Sequence, residues 1–253
     1  MAETALHPLV SGFSDAETYD RGRPPYPDAV VAELLGTLGL PAGTPALELG
    51  AGTGQLSRAL LAAGLDLKAL EPLEATRELL ARAIGGERVL EGVAEQIPLP
   101  DRSVEAIFAA DSFHWFDERR AMPEIRRVLR PGGAVTILRT IPVLPHEWSA
   151  ELGRVLMEMR PEHPAFTDRP AAAALEEDDA FGDITELTLT SEQTMDRARV
   201  LRYLASMSWV GQLPPEQRSK LLHRADAVLE RHGVIELRHE LHHQTWSAKL
   251  LAA

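Results

Sequence analysis

The chain contains no cysteine. Disulfides, thiolate nucleophiles and cysteine-ligated metals are removed together, which leaves any chemistry to oxygen, nitrogen or a bound cofactor. Lysine is almost missing as well, since Lys68, Lys220 and Lys249 are the only lysines among 26 basic residues, against 38 acidic ones. The resulting net charge of -12 repels phosphate backbones and no Lys/Arg block makes a local exception, so nucleic acid is not expected as a partner. No apolar run approaches the roughly 20 residues that span a bilayer, so no membrane partner is expected. The first residues, Met1 to Pro8, have neither the basic nor the apolar stretch of a secretory signal, which makes the cytoplasm the expected location. Apolar residues nevertheless make up 45% of the 253, enough for one full core, and the chain reads as a single domain over 1–253.

Short apolar runs at 46–50, 67–71, 88–93, 104–111 and 134–139 predict strands. Between them Leu56, Leu60 and Leu61, then Leu79, Leu80 and Ala83, then Met122, Ile125 and Val128 recur with helical spacing. Such alternation implies right-handed crossovers and a mostly parallel sheet with helices on both faces, an α/β architecture. Beyond Ile141 the periodicity turns helical, interrupted by two further strand-like pieces near 184–190 and 234–245. The expected organisation is a seven-stranded core at about 28–141 plus 184–190 and 234–249. A helical cap from about 143–183 and 195–231 covers it, and an amino-terminal lid segment occupies 13–27. Arg169 to Asp179 reads as an exposed connection or short helix. In open sheets of this kind ligands bind beyond the carboxyl ends of the strands, where strand order reverses, so those loops should carry the chemistry.

The first of them is Ala46-Leu47-Glu48-Leu49-Gly50-Ala51-Gly52-Thr53-Gly54. A dinucleotide fingerprint would need glycine where Gln55 stands, and a phosphate-binding loop would need a lysine, whereas the nearest is Lys68. The second strand ends in Glu71-Pro72, 17 residues past Gly54, where a carboxylate can accept ribose hydroxyls. The third leads into Gly92-Val93-Ala94-Glu95, and the fourth delivers Asp111 and then Ser112-Phe113-His114-Trp115-Phe116-Asp117 to the same edge. Aromatic rings there suit a cationic sulfonium. His114 is the candidate catalytic base.

The spacing Glu48-x-Gly50-x-Gly52-x-Gly54 resembles the first motif of class I (Rossmann-like) S-adenosylmethionine-dependent methyltransferases, and Arg127-Val128-Leu129-Arg130-Pro131-Gly132-Gly133 is similar to a recurrent string of that class. The segment Phe13 to Pro27, with its Tyr19, Arg23 and Tyr26, resembles together with His114-Trp115-Phe116-Asp117 the trans-aconitate methyltransferase-like subgroup of small-molecule enzymes. The resemblance implies S-adenosyl-L-methionine as cofactor. Its methionine part would lie on Glu48, Gly50, Ala51, Gly52 and Gly54, its ribose on Glu71 and Pro72, and its adenine on Ala94 and Glu95, with Asp111 closing the site. Val93 stands where the family commonly has an acid. Tyr19 and Arg23 would fold over the cofactor, Arg23 offering a planar fork to a carboxylate. Tyr26, His114 and Trp115 would face a small-molecule acceptor, either a carboxylate or a hydroxyl.

His239, His242 and His243 invite a metal reading. In a strand His239 and His243 share a face about 13 Å apart while His242 points away, so the expectation is a partly exposed edge strand and no metal. Two other functions stay open at this point, a non-catalytic cofactor-binding protein of the same fold and a nicotinamide-dependent oxidoreductase. No feature of the sequence fixes an oligomeric state.

Overall fold

A computed structural model describes residues 6–144, 147–159 and 169–252. Among them the sheet has seven strands: β1 (Pro45–Leu49), β2 (Asp66–Leu70), β3 (Val89–Leu90), β4 (Val104–Ala110), β5 (Leu129–Val143), β6 (Thr185–Asp196) and β7 (Glu236–Lys249). Their order is β3-β2-β1-β4-β5-β7-β6. The first five pair in parallel, and β7 runs antiparallel to both β5 and β6. Strand order reverses between β1 and β4, which places the switch point of this Rossmann-like sheet beyond Leu49 and Ala110.

Ten helices accompany the sheet among the described residues: α1 (Ala16–Gly22), α2 (Asp28–Leu38), α3 (Gln55–Ala62), α4 (Glu74–Ile84), α5 (Glu118–Val128), α6 (Glu147–Met157), α7 (Ala173–Glu176), α8 (Arg197–Ala205), α9 (Ser208–Gly211) and α10 (Pro215–Arg231). The central strands β1 and β4 are buried on both faces, and the two-residue period sorts their side chains. Leu47, Ile107 and Val135 pack with Met122, Ile125 and Val128 of α5. Ala46, Ala106 and Phe108 point the other way, onto Val30, Val31 and Leu34 of α2 and Leu56 and Leu60 of α3. A third cluster forms the cap, where Trp148 and Leu152 of α6, Val200 and Leu204 of α8, Trp209 of α9 and Leu221 and Leu229 of α10 enclose Met195 and Leu237. Aspartates start three of the helices, Asp15 at α1, Asp117 at α5, which accepts the Arg119 N–H at 3.1 Å, and Asp196 at α8, which accepts the Arg199 N–H at 2.6 Å.

Four expectations change. The lid segment 13–27 is largely helical and begins earlier, with a 3-10 helix at Pro8–Ser14 followed by α1, whose start Asp15 caps through the Thr18 N–H at 3.1 Å. The fifth strand runs from Leu129 through the Pro-Gly-Gly string to Val143, because β7 pairs with it along its length. The stretch expected as an exposed connection or short helix does hold a short helix, α7, but Ala172 to Leu175 are buried, Ala174 and Leu175 against the α5 face of the sheet. The histidine strand is not an edge, since β6 covers it and leaves His239 and His243 buried. Within the expected cap at 143–183, residues 145–146 and 160–168 lie outside the described ones.

Candidate functional site

The turn from β1 to α3 approaches its neighbours closely. Gly50 and Gly52 have φ of +66° and +58°, a region that glycine enters without strain. A Cβ on Gly50 would come within 2.8 Å of the Ser112 Cβ, and one on Gly52 within 3.5 Å of the Tyr19 ring. The loop is pinned to β2, because the Gly50 and Ala51 N–H groups donate to the Leu70 carbonyl at 2.9 and 3.1 Å. Gly54 serves differently. Its Cβ would meet the Leu80 side chain at 2.9 Å, and it starts α3 from outside both cavities described below.

Glu71 is 5% exposed at the end of β2. Its Oε2 accepts the Gly52 N–H at 2.8 Å, and its Oε1 accepts the Leu73 N–H at 3.0 Å and the Thr76 hydroxyl at 2.8 Å. Burial raises its pKa and these three donors oppose the shift. One Oε2 lone pair remains for a further donor. Glu48 is also buried and accepts the Ser57 hydroxyl, and burial pushes its pKa up to about 8, so it is mostly protonated at neutral pH.

Two cavities open at this edge. The first, of about 370 Å³, runs over Gly52, Glu71, Pro72, Ala94 and Glu95 beneath Val10, Phe13 and Tyr19. Glu95 in it accepts the Asp117 N–H at 2.7 Å. The second, of about 570 Å³, extends from Glu48, Ala51 and Arg23 under the cap and reaches Tyr26, His114, Tyr203, Trp209 and His239. Both are walled by Phe13, Tyr19, Gly50, Ala110, Asp111 and Trp115. That shared wall is a waist between two chambers.

Asp111 sits at the waist with φ of +49°, an uncommon conformation for a residue with a side chain. Its Oδ1 accepts the Thr140 N–H at 3.1 Å and its Oδ2 the Tyr26 hydroxyl at 3.2 Å. The Thr140 hydroxyl donates to Tyr26 Oη at 3.1 Å, so its oxygen is left to accept from His243 Nδ1 at 3.1 Å, while His243 Nε2 lies 2.9 Å from Ser191 Oγ. Burial raises the pKa of Asp111 and lowers that of His243. The Arg23 guanidinium carbon lies 5.2 Å from the Tyr19 ring centre and 5.1 Å from that of Tyr203. Among the described residues its Nε has no hydrogen-bond partner.

Every candidate except Gly54 therefore borders one or both cavities. Sequence reasoning missed the start of the amino-terminal segment, where His7 and Val10 roof the first cavity, with His7 5.5 Å from the Trp115 ring. It also missed Thr140, Tyr203 and the two buried histidines of the second cavity. Among the described residues, no group of three or more His, Asp or Glu could hold a metal, and no helix is long and apolar enough to cross a membrane.

Residues 47–137 match the methyltransferase domain family. The chain is 41% identical over 138 residues to an uncharacterized methyltransferase of Mycobacterium tuberculosis, an overlap of 54% of this chain and 55% of that protein. The chain thus spans about half the length of the first curated relatives it matches. An uncharacterized methyltransferase of Schizosaccharomyces pombe is 26% identical over 218 residues, 86% of each chain. The solved structure of a candidate type II methyltransferase from Anaeromyxobacter dehalogenans superimposes with a TM-score of 0.66 at 26% identity, covering 91% of this chain and 99% of that one. The similarity over residues 47–137 ends inside β5, so the cap lies beyond the family match.

Proposed function

We propose that this chain is an S-adenosylmethionine-dependent methyltransferase of a small molecule, with a carboxylate or hydroxyl as acceptor. The waist carries this reading: a slot of bare glycine backbone and buried carboxylate opens, through Gly50, Asp111 and Tyr19, into a larger chamber. The slot fits the cofactor. Gly50 leaves room where a Cβ would crowd Ser112, Gly52 opens its backbone toward Tyr19, Glu71 keeps a lone pair for a ribose hydroxyl, and Ala94, Val93 and Phe116 offer apolar surface to a flat base. Arg23, which lines the second cavity with Gly50 and Ala51, would meet the methionine carboxylate or an acidic acceptor.

Held over Gly50, Gly52 and Glu71, the cofactor would supply an electrophilic methyl group to an acceptor lone pair, with a neutral thioether as the leaving group. The chain's own part is alignment and exclusion of water. Tyr19, Phe13 and Trp115 surround the transfer point with ring faces that favour a cation. A carboxylate acceptor needs no base at neutral pH, whereas a hydroxyl must lose its proton. His114 lines only the acceptor chamber and is the group we assign to take that proton. Gln55, which stands where a dinucleotide loop has glycine, is occupied with the Asp20 carbonyl at 3.2 Å and its carboxylate at 3.1 Å, so it ties α3 to α1. That role disfavours a nicotinamide.

Calorimetry with S-adenosylhomocysteine and with NAD+ tests the cofactor, and incubation of the protein with a metabolite extract and a labelled methyl donor tests transfer. The homocysteine ligand should bind and NAD+ should not, and one extract component should gain label. Binding without labelling of any component would make this a cofactor-binding protein instead. Retention of full transfer by His114→Ala would remove the base role.

A further inference from the structure

The second chamber sets what the acceptor can be. Beyond the waist its walls are Trp148, Leu152, Leu204, Trp209, Leu237 and Leu241, all buried side chains of the cap and β7. A chamber of about 570 Å³ lies in the range of small-molecule sites, even with part of it at the glycine loop. Arg23 and Arg139 are its only Lys or Arg residues among the described ones, and Glu48 and Asp111 also border it. Two arginines beside Asp111 leave a compact anion of three carboxylates without enough positive charge to offset its desolvation.

Among the polar residues that also line this end, Ser149, Gln193, Tyr203, Ser208 and His239, the last is buried at 5% exposed, and its Nδ1 has no hydrogen-bond partner among the described residues. A buried ring nitrogen left unpaired is unfavourable, so a ligand group that meets the imidazole gains affinity. On the same face of β7, His243 is tied to Thr140 and so to the waist through Tyr26 and Asp111. The two histidines are four residue steps apart along the strand, about 13 Å at the usual rise. The floor thus has a reacting end, an apolar middle and a hydrogen-bonding far end.

We propose that the acceptor is an elongated, predominantly aliphatic molecule, which presents one end to the waist for methylation and whose other end carries a hydroxyl held by His239. A hydroxyl suits Nδ1 in either tautomer because it both donates and accepts. This assignment rests on the methyltransferase reading for the meaning of the waist.

The two can be tested apart by tryptophan fluorescence, since Trp148 and Trp209 wall the chamber. The whole protein is titrated with 10-hydroxydecanoic acid, decanoic acid and tricarballylic acid, with and without saturating S-adenosylhomocysteine. The hydroxy acid should bind about tenfold more tightly than decanoic acid, and the tricarboxylate should not bind. His239→Leu should weaken only the hydroxy acid, which brings the two fatty acids level. Leu204→Trp, which fills the chamber, should abolish binding of both while affinity for the homocysteine ligand stays the same. Tricarballylic acid binding as well as the hydroxy acid would overturn the proposal, as would protein that takes up the homocysteine ligand but neither fatty acid. An unchanged preference in His239→Leu would remove the anchor. Fatty-acid binding with no uptake of the homocysteine ligand would instead sink the cofactor reading and leave the chamber assignment standing.

Discussion

The two chambers that meet at Asp111 are walled by different kinds of matter. Beneath the first, the floor is largely main chain at the carboxyl ends of parallel strands, and its one deeply buried carboxylate, Glu71, is fixed by three donors. Side chains borne on the cap helices and on β7 wall the far part of the second, where His239 keeps a ring nitrogen unpartnered among the described residues. A floor of backbone admits little variation, because a Cβ at Gly50 collides with Ser112 and one at Gly52 sits on a left-handed φ. A wall of side chains can be repacked around many shapes without moving a strand. The first chamber is thus suited to a constant cofactor and the second to an acceptor that differs from one relative to another.

If that division is real, the largest effect should follow from adding a side chain to the backbone floor. Gly52→Val forces a β-branched residue into φ of +58° and thrusts its side chain toward Tyr19 across the cofactor slot. We expect at least a hundredfold loss of S-adenosylhomocysteine affinity by calorimetry, with the circular dichroism of the folded protein retained. Unaltered affinity would mean that the ligand does not lie on this loop. A smaller loss, about tenfold, is expected from Glu71→Gln, whose amide nitrogen cannot accept and so leaves one of the three donors unsatisfied. Decanoic acid binding in the second chamber should not change in that variant. A parallel loss of both ligands would show that the chambers are not separable.

Smaller still is the effect expected at the waist. Tyr26→Phe removes the hydrogen bonds to Asp111 and Thr140 but leaves the Thr140 N–H on Asp111, and it should cost about 1 kcal/mol of stability in urea unfolding. Cofactor affinity should stay within about threefold, since the remaining donor still holds the carboxylate and a lone hydrogen bond is worth roughly that much or a little more. A collapse of cofactor binding would mean that Tyr26 belongs to the first chamber.

The same division explains what could be read from residues alone. Backbone floors demand glycines at fixed intervals and an acid at a strand end, and Gly50, Gly52 and Glu71 announce themselves by spacing. The parallel core was legible for a related reason, since strands buried on both faces must be short apolar runs such as Val104 to Ala110. Gly54 shows the limit of spacing, because a glycine that starts a helix and one that faces a ligand look identical in a string. His239 and His243 were misplaced because the alternation along β7 shows which residues share a face but not that β6 would add a further strand outside it. The chamber under the cap was invisible in the sequence. The walls of its far end come from α6, α8, α9 and β7, elements far apart in the chain, and Trp209 or Leu237 reads like any other core residue.

At neutral pH the smallest effect on cofactor binding is expected at Glu48, although it lies beneath the same glycine loop. Its carboxyl is 2% exposed, and burial raises its pKa to about 8. Glu48→Gln then reproduces the protonated side chain already present at pH 7 and keeps an oxygen to accept from Ser57. Stability should reveal the difference. The folded protein holds a proton here that the unfolded chain, with an ordinary pKa near 4.3, releases, so the stability contributed by Glu48 is full below about pH 4 and is lost as pH rises toward 8. The melting temperature of the native protein should therefore fall relative to that of Glu48→Gln as pH is raised from 5 to 8, and the gap should stop widening above that. Curves that run parallel over this range would mean that Glu48 is ionised at neutral pH, and the loop would then rest on a charge instead of a neutral acid.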